Sequence, residues 1–274
     1  MLRQLTRIPG FRRLWHMFPL GSPALRTRYD IWDRPSYGYG IFSAAVLARN
    51  LGIDSLSAIE FGVAGGNGLL SMERIARQIS AYFGGKPAIK VLGFDTGQGM
   101  PPPRDYRDLP HVWQAGFYRM EVEKLRSRLA GAELILGDVD ETIAALLERE
   151  DFPPVGFVAF DVDYYSSTKS ALKLFAHPSH RTRLPRVYCY FDDIIYPENA
   201  CHNEFTGELL AIREFNEEFG TRKLARINGL SWIRPVPASW NDQIYVLHDF
   251  EHPLYCESVT PKGEQHSQIP LKGT

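Results

Sequence analysis

Three cysteines, Cys189, Cys201 and Cys256, are all that the 274 residues carry. They stand singly, without the spacing of a disulfide framework or of a zinc site. That predicts a reducing compartment, the cytoplasm. No apolar run approaches the ~20 residues that cross a bilayer. Net charge is missing too: 31 basic against 32 acidic residues leave −1, and with it no electrostatic argument for nucleic acid. One lack is local. Residues 1–29 contain no acid but carry Arg3, Arg7, Arg12, Arg13, Arg26 and Arg28. The apolar stretch Leu14–Leu20 is broken by His16 and Pro19, which argues against a secretory signal. Residues 1–35 therefore read as a basic, helical arm with several open roles. It is solvated or packed on the domain, is an organellar transit peptide, or touches anionic lipid or a partner subunit in a homo-oligomer.

What is present is ordinary for a globular protein, with 44% apolar and 23% charged residues. The length suits one large α/β domain with an arm. Strand and helix patterns alternate along it. Strands are expected at Ser57–Phe61, Ala88–Phe94, Ala132–Leu136, Val155–Phe160 and Val187–Phe191, with late ones at Lys223–Ile227 and Gln243–His248. Helices are expected at Ser36–Leu51, Leu69–Phe83, around Arg119–Leu129, at Asp140–Arg149, around Ser167–Phe175 and at Asn203–Phe219. This alternation predicts a doubly wound, mainly parallel, Rossmann-like sheet over residues 36–250. Residues 251–274, with Pro253, Pro261 and Pro270, read as a loose tail.

Two of the strands stop on acids. Val155–Phe160 runs into Asp161-Val162-Asp163, and Val187–Phe191 into Asp192-Asp193. In open α/β sheets ligands bind at the carboxyl ends of strands. Four carboxylates delivered there repel one another unless a cation lies between them, and a hard divalent ion prefers such oxygens. Asp also caps turns after strands, so either pair alone has a plain structural reading.

The first strand leads into Glu60-Phe61-Gly62-Val63-Ala64-Gly65-Gly66-Asn67-Gly68. This turn lacks the G-x-G-x-x-G spacing that suits a pyrophosphate, and Glu60 before it favours a cationic ligand instead. An acid, a glycine, three residues and a glycine is the pattern of S-adenosylmethionine sites in class I methyltransferases, and Glu60, Gly62 and Gly66 resemble it. Asp95 ends the second strand, where an acid accepts the hydroxyls of a ribose. Gly137 and Asp138 end the third, where an adenine edge would lie.

Together these pieces resemble the metal-dependent class I methyltransferases like macrocin O-methyltransferase, which methylate sugar hydroxyls of natural products. The resemblance spans roughly Ile59 to Phe219. It rests on Glu60–Gly66, on Gly93-Phe94-Asp95-Thr96-Gly97-Gln98-Gly99-Met100-Pro101, on the D-x-D-x-Y-x-S-T element Asp161–Thr168 and on Asp192-Asp193. It implies S-adenosylmethionine as methyl donor and Mg²⁺ or another hard divalent cation held by Asp161, Asp192 and Asp193. Catalytic duties would fall to Asp161, as ligand and proton acceptor, and to Asp163, a carboxylate behind it that orients a water or a ligand. The implied acceptor is a small molecule or glycan, most simply a sugar or glycoside. Two departures stand out: Ser166 and Gln98 replace residues that are usually Glu. The regions before residue 50 and after 250 match nothing in that pattern.

Other features fit less well. The aromatic, Pro-rich stretch 99–118 is too long for a simple connection and reads as a lid, an acceptor wall or a loop anchored on the domain. His111 and His202 sit in loops without a placed partner, and His177-Pro-Ser-His180 lacks the setting of a zinc site. A D-x-D glycosyltransferase leaves the glycine turn and Asp192-Asp193 unexplained. A non-catalytic nucleoside-binding scaffold has no need of the full set of acids.

Overall fold

Val155–Phe160 contains no polar side chain and is buried along its whole length, the pattern of a strand covered on both faces. In the computed structural model, which describes residues 10–260, it lies at the middle of a seven-stranded sheet. The strands are β1 (Ser55–Phe61), β2 (Ala88–Asp95), β3 (Glu133–Leu136), β4 (Val155–Phe160), β5 (Arg183–Phe191), β6 (Arg222–Arg226) and β7 (Ile244–Asp249). Their order is β3-β2-β1-β4-β5-β7-β6, all parallel except β7, which runs antiparallel to both its neighbours. The expected mainly parallel, doubly wound sheet is present.

The helices are α1 (Phe11–Met17), α2 (Pro23–Tyr29), α3 (Pro35–Asn50), α4 (Asn67–Tyr82), α5 (Val122–Arg126), α6 (Val139–Leu147), α7 (Tyr165–Ala171), α8 (Lys173–Ala176), α9 (Gly207–Glu218) and α10 (Leu230–Ile233). Period-two alternation sends Leu56, Ala58, Phe157 and Ala159 to one face, against Ile41 and Ala44 of α3 and Met72 and Ile75 of α4. Ile59, Phe61, Val158 and Phe160 face the other way, toward Ile143 of α6 and Leu209 and Phe215 of α9. There the rings of Phe160 and Phe191 stack with centroids 4.5 Å apart, fixing β4 beside β5 just before both strands end.

Several elements differ from their sequence reading. β5 begins at Arg183, before Pro185, because the β4–β5 register shifts between Val155 and Phe157 and tolerates a residue with no N–H. The charged helix expected near Arg119–Leu129 shrinks to Val122–Arg126, and the one expected at Ser167–Phe175 begins at Tyr165 and breaks at Leu172. Asn203–Phe219 is helical only from Gly207 to Glu218.

The described part of the basic arm is helical and docked. Asp30 is buried against the guanidinium of Arg234 and accepts a 3.3 Å hydrogen bond from the Trp240 indole, while Arg26 lies over the Trp32 ring at 3.7 Å. At the other end Asn50 donates to the Val259 carbonyl at 2.7 Å and Arg186 to that of Tyr255 at 2.8 Å. Residues 1–9, with Arg3 and Arg7, and residues 261–274 lie outside the described residues.

Candidate active site

Phe160 and Phe191 are register partners, so the acids that follow them arrive side by side at the carboxyl edge of the sheet. The ladder continues one step: Asp161 N–H donates to the Phe61 carbonyl and Asp192 N–H to that of Phe160, both at 2.9 Å. Asp161, Asp192 and Asp193 each place a carboxylate oxygen so that all three atoms lie within 4.8 Å of one another. Asp163 stands behind them at φ +59°, and its N–H donates to the Asp193 carboxylate at 3.0 Å. Glu208, fully buried on α9, accepts from the Asp193 N–H at 3.1 Å.

This crowding of carboxylates is electrostatically costly. Burial first, then Asp192, Glu60 and Asp163, pushes the Asp161 carboxyl well above the usual range. Burial and then the charges of Asp163 and Glu208 do the same to Asp193. Burial raises Asp163 to about 6, against an opposing hydrogen bond from Asp193. An all-oxygen donor set in which Asp161 and Asp193 both resist carrying charge fits a hard divalent cation.

The glycine turn lies next to this cluster. A Cβ on Gly62 would stand 1.7 Å from the Asp161 carbonyl oxygen, and one on Gly68 would stand 1.9 Å from a Glu60 carboxylate oxygen. The turn can pass the end of β4 and close over Glu60 only without side chains at those two positions. Gly66 opens α4 at φ +83°. Glu60 itself is buried and accepts a 2.5 Å hydrogen bond from the Tyr37 hydroxyl, while its other oxygen has no partner. Burial raises its carboxyl to about 7 against that hydrogen bond.

Asp95 is bound to the turn. One carboxylate oxygen accepts the Val63 and Ala64 N–H groups, each at 2.9 Å, and the other accepts Gly97 N–H at 2.6 Å. Asp138 is exposed and caps α6 by accepting the Asp140 N–H at 2.8 Å, while Gly137 donates to the Asp95 carbonyl at 3.0 Å. Val139, rather than Gly137 or Asp138, lines the cleft between turn and acids, as do Gly62, Asp95, Asp161 and Asp163.

In the rest of the D-x-D-x-Y-x-S-T element Val162 and Ser167 line the cleft, while Tyr164, Ser166 and Thr168 are scaffolding. Tyr164 is buried and donates to the Pro101 carbonyl at 3.2 Å, and Thr168 donates to the Tyr164 carbonyl at 2.7 Å. Asp108 accepts Ser166 N–H at 2.8 Å, the Ser166 hydroxyl at 3.0 Å and Arg104 N–H at 2.8 Å. A glutamate in place of Ser166 would confront Asp108 with a like charge, so serine here goes with this particular loop anchor.

The structure is similar to that of CalS11, a calicheamicin methyltransferase, with a TM-score of 0.51 and 20% identity over 90% of this chain and 89% of that one. It is similar as well to the O-methyltransferase NovP, with a TM-score of 0.51 and 15% identity over 78% of this chain and 79% of that one. The fold is that of a class I methyltransferase. No protein-family model matches the sequence, and no curated protein matches it.

On this methyltransferase fold the sequence reading brings Glu60, Gly62, Gly66 and Asp95 together on one side and Asp161, Asp163, Asp192 and Asp193 on the other. It misses the residues that complete the site from remote elements. Tyr37 enters from the start of α3 to donate to Glu60, Tyr190 donates to the Asp192 carboxylate, and the Gln243 amide donates to the Asp192 carbonyl at 2.7 Å. Glu208 had one legible signal, a lone acid at the start of the apolar run Leu209-Leu210-Ala211-Ile212. A separate cavity of about 750 Å³ lies at the opposite edge of the sheet, by Ser55 and Pro153, and shares no residue with the acidic cluster.

Proposed function

We propose that the protein is an S-adenosylmethionine-dependent O-methyltransferase of the macrocin type, acting on a hydroxyl of a sugar, a glycoside or another small molecule. The observation that carries this reading is the adjacency of a glycine turn closing over a buried acid to three carboxylates within 4.8 Å of one another. CalS11 and NovP, similar in fold, are a calicheamicin methyltransferase and an O-methyltransferase. A D-x-D glycosyltransferase accounts for the acids but leaves the turn and Glu60 without a role.

In this reading Glu60 and the turn receive the positively charged methionine end of the donor, and Asp95 the ribose end. Asp161, Asp192 and Asp193 hold a divalent cation. Such an ion supplies Lewis acidity, which lowers the pKa of a hydroxyl and fixes its position. Asp161 is both ligand and proton acceptor, and Asp163, behind the three ligands and bound through its N–H to the Asp193 carboxylate, orients a water or a ligand. Glu208 and Gln243 hold the Asp192-Asp193 backbone in place. The transfer itself needs alignment more than covalent help from the protein.

Calorimetry with S-adenosylmethionine and with a panel of nucleotide sugars tests the reading. Binding of S-adenosylmethionine alone is expected, and binding of nucleotide sugars alone would refute it. Asp192→Ala with Asp193→Ala is expected to abolish product while donor affinity stays within a few-fold. Asp163→Asn is expected to lower turnover, also at unchanged donor affinity, and undiminished turnover would remove its carboxylate from that orienting role.

A further inference from the structure

The acidic cluster divides two cavities. The cleft already described lies on the side of Asp161 and Asp163. A second cavity, of about 520 Å³, opens on the side of Asp192 and is lined by Arg34, Ser36, Tyr196, Ser239 and Trp240. Its volume falls in the roughly 300–1,000 Å³ range of small-molecule sites. Asp192 is the only one of the three clustered carboxylates that lines it, so a ligand held there reaches the cluster from the face opposite the glycine turn.

The charged groups around this cavity are paired or hydrogen-bonded, with the exception of Arg34, which faces Glu60, Asp161 and Asp192 only at longer range. Asp33 pairs with Arg74, Asp192 accepts from Tyr190, and Arg234, behind Trp240, pairs with Asp30. The Arg34 guanidinium, half-buried and 5.2 Å from the Tyr37 ring centroid, has no carboxylate within 4.0 Å and makes no hydrogen bond among the described residues. A planar fork of N–H donors facing a cavity is suited to bind a carboxylate or phosphate in two-point fashion. The exposed ring of Tyr196 and the buried Trp240, both lining the cavity, offer apolar surface for a ring.

We infer that this second cavity is the acceptor subsite, and that it takes a hydroxyl-bearing ring which also carries an anionic group, carboxylate or phosphate, bound by Arg34. The inference rests on the methyltransferase reading and adds to it the class of acceptor. The hydroxyl meets the Asp161–Asp192–Asp193 cluster while the anion is held by Arg34. The donor, in the cleft by Gly62 and Asp95, does not share Arg34, which lines the second cavity and not the first.

The test compares matched probes on the full chain with Mg²⁺ and S-adenosylhomocysteine present, so that binding is read without turnover. The pairs are glucose against glucuronate and glucose 1-phosphate, and catechol against 3,4-dihydroxybenzoate. At least one anionic member is expected to bind the wild type about 30-fold more tightly than its neutral counterpart, the scale of one charge-assisted hydrogen bond. Arg34→Gln is expected to erase that preference and Arg34→Lys to restore part of it. S-adenosylmethionine affinity should stay within threefold in both variants, which also shows that they fold. A wild type without anionic preference, or a preference that survives Arg34→Gln, overturns the inference. A tenfold loss of S-adenosylmethionine affinity in Arg34→Gln overturns it too, by assigning Arg34 to the donor. If the wild type itself binds no S-adenosylmethionine, the reading beneath the inference fails instead.

Discussion

Glu60 sits under Gly68 with one phenol for company, and that environment sets its behaviour. Burial lifts its carboxyl from 4.5 to about 7, so its folded pKa lies above its unfolded one. A group shifted this way favours folding fully below pH 4.5 and loses that contribution as pH rises through about 7. The loss amounts to about 3 kcal/mol at most. Glu60→Gln keeps an acceptor for Tyr37 and removes the titration. In ligand-free protein its melting temperature should match the wild type near pH 5 and exceed it increasingly toward pH 8. A constant offset across that range would discard the assignment. At this scale the sequence was legible where an acid interrupts or ends an apolar run, as Glu60, Asp161 and Asp192 do. It was silent on Tyr37, whose partner Glu60 lies more than twenty residues away and meets it only through the docking of α3 on β1.

The 99–118 segment is the element on which access to the cleft turns. Its ends pair through Met100 N–H to the Phe117 carbonyl and Gly116 N–H to the Met100 carbonyl, both at 2.8 Å. Leu109 and Trp113 pack on Tyr164 and Ala200. With Gly99, Met100, Pro101 and Tyr118 as its wall, the cleft has a volume of about 80 Å³, well under the roughly 300 Å³ at which ordinary ligand sites begin. Entry of a nucleoside-sized donor therefore requires this wall to move. Hydrogen exchange should show the amides of Gly99, Met100 and residues 116–118 changing protection on addition of S-adenosylmethionine while those of β4 do not; an unaltered pattern would mean the wall is rigid. The loop's length and aromatic content were readable in the sequence, as a lid, a wall or an anchored loop. Its anchoring through Asp108 was not, because nothing local distinguishes an acid that accepts from Ser166 nearly sixty residues on.

For the whole molecule, the arm and the β6–β7 connection together close the side of the sheet that the glycine turn leaves open. Arg34 comes from the first, Ser36 from the start of α3, Ser239, Trp240 and Gln243 from the second, and the buried Asp30–Arg234 pair joins arm and connection. Arg234→Ala leaves Asp30 charged and buried without its partner, a change that costs about 3–5 kcal/mol in such pairs. Thermal unfolding should register it. Loss of acceptor binding should exceed loss of donor binding, since Asp95 and the glycine turn lie elsewhere. The sheet order was within reach of the sequence only as a class, mainly parallel and doubly wound, because strand partners far apart in the chain leave no local trace. The central claim is that the acids at the ends of β4 and β5 hold a cation required for methyl transfer. Mass spectrometry of an acceptor incubated with the protein and S-adenosylmethionine tests it most directly. A +CH₂ product is expected with Mg²⁺, none after chelation, and full recovery when Mg²⁺ is restored; undiminished product in the chelated protein would contradict it.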